Sequence, residues 1–189
     1  KYSGLPKNKV VGMAGILDSS RFIYFLSEEL KVSVNKIKSF VLGGHGDSMV
    51  AMLGATVVEG KKITDLVNEG KISKDKLDQI IDRTKKGGAE IVKLLEKGSA
   101  FYAPAASGVE MAECYLKDLK KQLPCAVYLD GEYGTKDIYA GVPVIIGSKG
   151  VEKVIELDLS AEEKDNFDNS IKAVKELFDA AKKIDPELK

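Results

Sequence analysis

Three β-rich runs, CAVYLDGEYG, DIYAGVPVIIG and VEKVIEL, follow one another between residues 125 and 157, separated only by glycine-bearing turns. Runs this close leave no room for a crossover helix, so they read as an antiparallel meander. A meander needs a second layer over its apolar face. The chain supplies one on both sides, in segments whose apolar residues recur at helical spacing. The reading is an α+β fold, helices packed on antiparallel sheet, with residues 1–189 forming one domain.

Along the chain, VVGMAGIL (10–17) reads as a strand running into a loop. A helix follows over 18–32, with Asp18 or a neighbouring serine as its N-cap. Ile37 to Leu42 reads as a short strand ending in a glycine loop, and 48–60 as one or two strands turning at Glu59-Gly60. Ser73 caps a long helix with Leu77, Ile80, Ile81, Thr84, Ile91, Leu94 and Leu95 on its apolar face. Gly87-Gly88 should kink or weaken it. GSAFYAPAASG breaks the pattern. A third helix, about Ser107 to Leu123, should bury Val109, Ala112, Leu116 and Leu119, and Pro124 opens the strand region. Ser160 and Glu163 form a capping box for a last helix striped by Phe167, Ile171, Val174, Phe178 and Ala181.

Composition excludes several functions. Formal net charge is zero, without the basic excess of a nucleic-acid binder, and gives no hint of an anionic membrane surface as partner. No apolar run reaches transmembrane length; VPVIIG (142–147) is only strand-sized. Cys114 and Cys125 lack metal-ligand spacing and read as two reduced, buried thiols, with a disulfide as the alternative. No metal is expected, and the cytoplasm is the expected compartment. Neither G-x-G-x-x-G nor G-x-x-x-x-G-K-[ST] occurs, so the chain has no phosphate cradle of its own. It begins KYSGLPKNK without a methionine, which reads as the middle of a longer protein.

The only histidine, His45, stands in VLGGHGDSMV. Alone, such a residue is most simply a structural imidazole. Its position in a glycine loop at a strand end also suits an acid–base group, with the glycines admitting substrate and cofactor. Such a histidine needs an orienting carboxylate. Asp18 and Asp47 are the candidates, Asp47 the weaker because an aspartate after a glycine turn often caps its own backbone. Asp18 and Arg21 share a helix face at i, i+3. They could be a local ion pair, or could divide the work, Asp18 holding the histidine and Arg21 gripping a substrate carboxylate.

These residues resemble a known family. G-I-L-D-S-S-R-F (15–22) followed by G-G-H-G-D-S (43–48) is similar to the lactate/malate dehydrogenases. There L-D-x-x-R-F supplies an aspartate and an arginine, and G-x-H-G-D the catalytic histidine. The resemblance continues through GSAFYAPAASGVEMAE (98–113), LPCAVYLDGEYG (123–134) and GVPVIIGSKGVEKVIEL (141–157), essentially the whole chain. It implies that His45 is the proton donor and acceptor, Asp18 its orienting carboxylate and Arg21 the substrate-carboxylate ligand. Hydride would pass between the nicotinamide of NAD and the 2-carbon of a 2-hydroxy or 2-keto acid. Gly44 stands where lactate-type members commonly carry glutamate, and Ala100 occupies a pocket-wall position where many have threonine. Malate/oxaloacetate is therefore the implied substrate, with lactate as the alternative.

The resemblance also implies that this is the C-terminal substrate-binding and catalytic domain. The N-terminal Rossmann domain that would bind most of the NAD is absent, and the isolated chain should be inactive. A homodimer or homotetramer is implied, with 18–30 and 98–106 as contact regions; Phe101 and Tyr102 read as core, or else as part of that contact. A catalytically silent oligomerisation module is the reading from another class.

Overall fold

The computed structural model describes residues 2–188. Its centre is the meander: β6 (Lys121–Asp130), β7 (Lys136–Gly147) and β8 (Gly150–Val154), all antiparallel, as expected. Pro124 lies inside β6 rather than at its start. It faces Pro143 of β7, so the two missing N–H donors fall on one rung of the ladder. The far edge of β7 is shared by β8 and, through the single pair Gly43↔Gly141, by β2 (Val41–Gly43), which pairs in turn with β3 (Met49–Ala51). These five strands form one sheet. A second, small sheet orders β1 (Ile37–Lys38), β4 (Val57–Val58) and β5 (Lys61–Lys62), with the expected turn at Glu59-Gly60. The expected strand over 37–42 is thus two strands in two sheets.

Among the described residues five α-helices cover the sheets. They are α1 (Ala14–Leu30), α2 (Ile63–Asn68), α3 (Lys74–Leu95), α4 (Tyr102–Leu116) and α5 (Ala161–Ile184). Ser73 caps α3, its hydroxyl accepting from the Lys76 N–H at 3.2 Å. Both bonds of the Ser160–Glu163 box are present at the start of α5.

Several expectations are corrected. Residues 10–17 form no strand. Gly12 makes one isolated bridge to Ala126, and helix begins at Ala14. Asp18 is therefore no cap but a buried residue in the second turn of α1; Met13 takes the cap position without a side-chain bond. The Gly87-Gly88 pair does not interrupt α3. Leu94 and Leu95, read as buried, are exposed. The third helix starts five residues early and ends at Leu116, and Val109, Ala112, Leu116 and Leu119 face outward while Ser107 and Cys114 face in. Phe101 and Tyr102 are stacked on each other and exposed, not core.

The interior has two apolar clusters. One lies between the large sheet and α5, where Leu42, Val127, Leu129, Val142 and Val144 meet Phe167 and Ile171. The other joins α1 and α3 to the small sheet through Phe22, Leu26, Ile37, Val58, Leu77 and Ile80. Each such side chain contributes about 1.5–3 kcal/mol. Helix α1 belongs to both: Ile16 enters the first cluster, Phe22 and Leu26 the second. Asp18 sits at the crossing, where the flanking turns are fixed by packing on either side.

Candidate active site

Two adjacent residues of α1 reach the strand that carries the histidine loop. Ser19 Oγ accepts from the Val41 N–H at 2.8 Å, docking β2 on the helix. Asp18 Oδ2 accepts from His45 Nδ1 at 2.8 Å. That bond spans 27 residues and joins a carboxylate that is 1% exposed to an imidazole whose side chain is 53% exposed. A buried anion fixes the ring, and with Nδ1 occupied the other nitrogen, Nε2, is left for exchange. Of the two carboxylates considered, Asp18 is the partner.

The hydrogen bond to Asp18 holds His45 above the ordinary imidazole value. Partial burial and the nearby Arg21 charge oppose this and lose. Arg21 lies beside the pair, its Nη1 3.6 Å from Asp18 Oδ1, and its side chain is 11% exposed. Neither Asp18 Oδ1 nor Arg21 Nε has a hydrogen-bond partner, although both are buried. Buried polar atoms are rarely left so, and an arginine with a spare donor is suited to a planar anion. The guanidinium stem runs along α3 where that helix has no side chains. A Cβ placed on Gly87 would lie 3.1 Å from Arg21 Cδ, and one on Gly88 3.8 Å from Nη1. Gly87-Gly88 is thus the floor beneath Arg21, with Gly87 the closer of the two.

The glycines before His45 line the cavity beside the ring, as expected, and have a second role inside the protein. Gly43 has φ +84°, and a Cβ there would come within 2.2 Å of Ser170 Oγ. One on Gly44 would come within 2.4 Å of Ser48 Oγ and 3.1 Å of Val174 Cγ2. The space at 43 is filled by Ser170 of α5 and that at 44 by Ser48 of the same loop with Val174 of α5 beyond it, and the Gly44 N–H donates to Ser170 Oγ at 2.8 Å. Gly46, by contrast, has open space around it. Ser19 and Ser170 escape sequence reasoning. Serines on helices carry no local signal, and Ser170 is 126 residues from its partner.

A cavity of about 190 Å³ opens beside the ring, lined in part by Ala14, Gly15, Asp18, His45, Tyr139 and Gly141. Ala100 is half-buried in the link between α3 and α4 and does not line it. Among the described residues no cluster of His, Cys, Asp or Glu could hold a metal ion, and no helix is long and apolar enough to cross a membrane. Cys114 and Cys125 are both free and buried.

Residues 16–184 match the model of the lactate/malate dehydrogenase α/β C-terminal domain. The chain belongs to the lactate/malate dehydrogenase family. A malate dehydrogenase of Pelagibacter ubique is 66% identical over 188 residues, which span all of this chain and 59% of that protein. Among solved members of the family, a malate dehydrogenase from Salinibacter ruber superimposes with a TM-score of 0.91 at 46% identity, covering 99% of this chain and 59% of that one. A lactate dehydrogenase from Eimeria maxima, solved with NADH and oxamate, gives 0.93 at 42% identity, covering 97% and 57%. The chain therefore spans rather less than two thirds of the relatives it matches.

Proposed function

We propose that this chain is the catalytic and substrate-binding domain of an NAD-dependent malate dehydrogenase, which interconverts (S)-malate and oxaloacetate. The observation that carries this is the 2.8 Å bond between His45 Nδ1 and the buried Asp18, with Arg21 alongside and short of a partner. Malate is favoured over lactate by the 66% identity to a malate dehydrogenase and by Gly44 in the histidine loop.

In the oxidising direction, neutral His45 takes the substrate hydroxyl proton at Nε2, and Asp18 stabilises the imidazolium that forms. In the reducing direction, the protonated ring donates that proton to the carbonyl oxygen. The upward shift of His45 favours the second, because more of the ring arrives charged. Arg21 holds the substrate carboxylate through the donors it does not spend on Asp18. NAD, when bound, supplies the hydride acceptor or donor. The cavity beside His45 has room for one end of such a molecule, and the chain has no glycine-rich pyrophosphate cradle. Most cofactor contacts therefore belong to the part of the relatives that this chain does not span, and the isolated chain should turn over little or nothing.

An oligomeric protein is supported by α4. Tyr102, Val109 and Leu116 recur every seven residues on one face of that helix and are 77%, 67% and 79% exposed. Two free thiols fit a reducing compartment, the cytoplasm. The test of the reaction is His45→Asn in the intact enzyme. Oxaloacetate reduction should fall by about 10²–10⁴ with NADH affinity nearly unchanged; a variant retaining more than roughly a tenth of the rate would overturn the assignment.

A further inference from the structure

Helix α5 holds the histidine loop at two points. Glu163 Oε1 accepts from the Gly54 N–H at 2.8 Å, just past β3, while its other oxygen completes the capping box with Ser160. Seven residues on, and so on the same helix face about 10 Å away, Ser170 Oγ accepts from the Gly44 N–H immediately before His45. Both residues are buried, Ser170 to 2%. The β2–β3 hairpin that carries His45 is thereby pinned before and behind by one rigid element. Gly43 is what allows Ser170 to reach the backbone there, since a Cβ on it would lie 2.2 Å from Ser170 Oγ.

We propose that Ser170 is a positioning residue for His45: by fixing the Gly44 N–H from α5, it sets where the imidazole meets Asp18. Ser170 touches neither the ring nor the cavity and acts only through the loop. Two opposed anchors then define the ring. Asp18 pulls on Nδ1 from α1, and Ser170 holds the adjoining peptide from the other side. With one anchor gone, a loop rich in glycine has no local means of keeping the 2.8 Å bond, since the Gly43 and Gly46 torsions (φ +84° and +82°) are freely exchanged for others.

The test uses the chain itself. His45 is the only histidine, so its ring signals in an NMR titration are unambiguous. The charged and titratable groups about the ring are Asp18 and Arg21 on α1 and Tyr139 on β7, with Asp47 two residues on in its own loop. Helix α5 lines the cavity with Val174 alone. The hydrogen bond to Asp18 is the largest influence raising His45. Ser170→Ala should therefore move the midpoint down toward the ordinary imidazole value, and Ser170→Thr, which restores an acceptor, should move it back. Ile171→Val, a core change one residue away, should lower the melting temperature and leave the midpoint where it was. If Ser170→Ala does not fold, Ser170→Cys, nearly isosteric and a poor acceptor, is expected to give the same downward shift. A folded Ser170→Ala or Ser170→Cys with the wild-type midpoint overturns the proposal. The inference rests on His45 as the proton-transfer group, but the readout is its ionisation, so it fails or stands separately from the substrate assignment.

Discussion

Gly87→Ala and Gly88→Ala differ by one position in the same unbroken helix, and the structure assigns them opposite consequences. Each replaces a glycine within α3, which on propensity alone stabilises by about 1 kcal/mol. For a chain of this length that is roughly a 2–4 °C rise in melting temperature. At Gly88 nothing opposes it: the new methyl would rest 3.8 and 3.9 Å from the Arg21 Nη atoms, ordinary contact. At Gly87 the methyl would stand 3.1 Å from Arg21 Cδ and 3.5 Å from Nε. The arginine must then retreat by a few tenths of an ångström. A misplacement of about 1 Å can cost about 100-fold in rate, so this smaller one should cost about 4- to 10-fold in kcat/KM, mostly through KM if Arg21 grips the substrate carboxylate. The assay is steady-state oxaloacetate reduction in the intact enzyme beside thermal melts of both variants. Gly88→Ala should melt higher and stay within about twofold of wild type in kcat/KM; Gly87→Ala should gain less in melting and lose activity. Equal kcat/KM for the two would refute the placement of Arg21 against Gly87.

Asp18→Asn keeps the shape of the side chain and removes its charge. His45 should then titrate lower than in wild type, and the alkaline limb of the pH–rate profile for ketoacid reduction should move to lower pH, with turnover down about 10²–10⁴. Because the folded-state value of His45 is raised, its stabilising contribution is complete below the unfolded imidazole value of about 6.5 and is lost as pH rises through the folded one. The melting-temperature gap between wild type and His45→Asn should shrink over that interval, and only modestly, since the ring is half-exposed. Burial pushes the Cys125 thiol up to about 12. It should resist a disulfide-exchange reagent in the native protein and react on denaturation; fast native labelling would contradict its buried position.

What the sequence made legible was what neighbours in sequence decide. The meander over 121–154, the turn at Glu59-Gly60, the Ser73 cap and the Ser160–Glu163 box each depend on residues a few positions apart, and each is present. Spacing alone put Asp18 and Arg21 on one helix face and left Asp47 open as the partner of His45; the full His45–Asp18–Arg21 group was legible through the resemblance of two linked motifs. The failures come from contacts that local spacing does not encode. Ala14 to Leu17 is apolar on all sides because α1 enters the interior there, so it imitates a strand. Val109 and Leu116 imitate a core stripe while lying on an uncovered face. The glycines at 43, 44 and 87 looked like room for a ligand or a break in a helix. Gly43 and Gly44 do line the cavity beside His45, but Gly43 is also room for Ser170 and Gly87 room for Arg21, side chains from distant parts of the chain.

Among the described residues, Gly43↔Gly141 is the one strand pairing that joins the histidine hairpin to the meander. A Cβ on Gly141 would lie 2.6 Å from the Gly43 carbonyl oxygen, so the two backbones touch without side chains between them. The meander can be complete before that contact exists, because its strands are neighbours in sequence. The hairpin, however, must close loops of roughly a hundred residues to reach β7 and α5, and each closure costs entropy before any contact repays it. Contact order therefore predicts that the meander forms first and the pairing of His45 with Asp18 last. The amide protons of residues 43 and 44 should accordingly gain protection last in a pulse-labelled refolding reaction, and until α5 is seated the 2.8 Å bond of His45 to Asp18 has only one of its two supports.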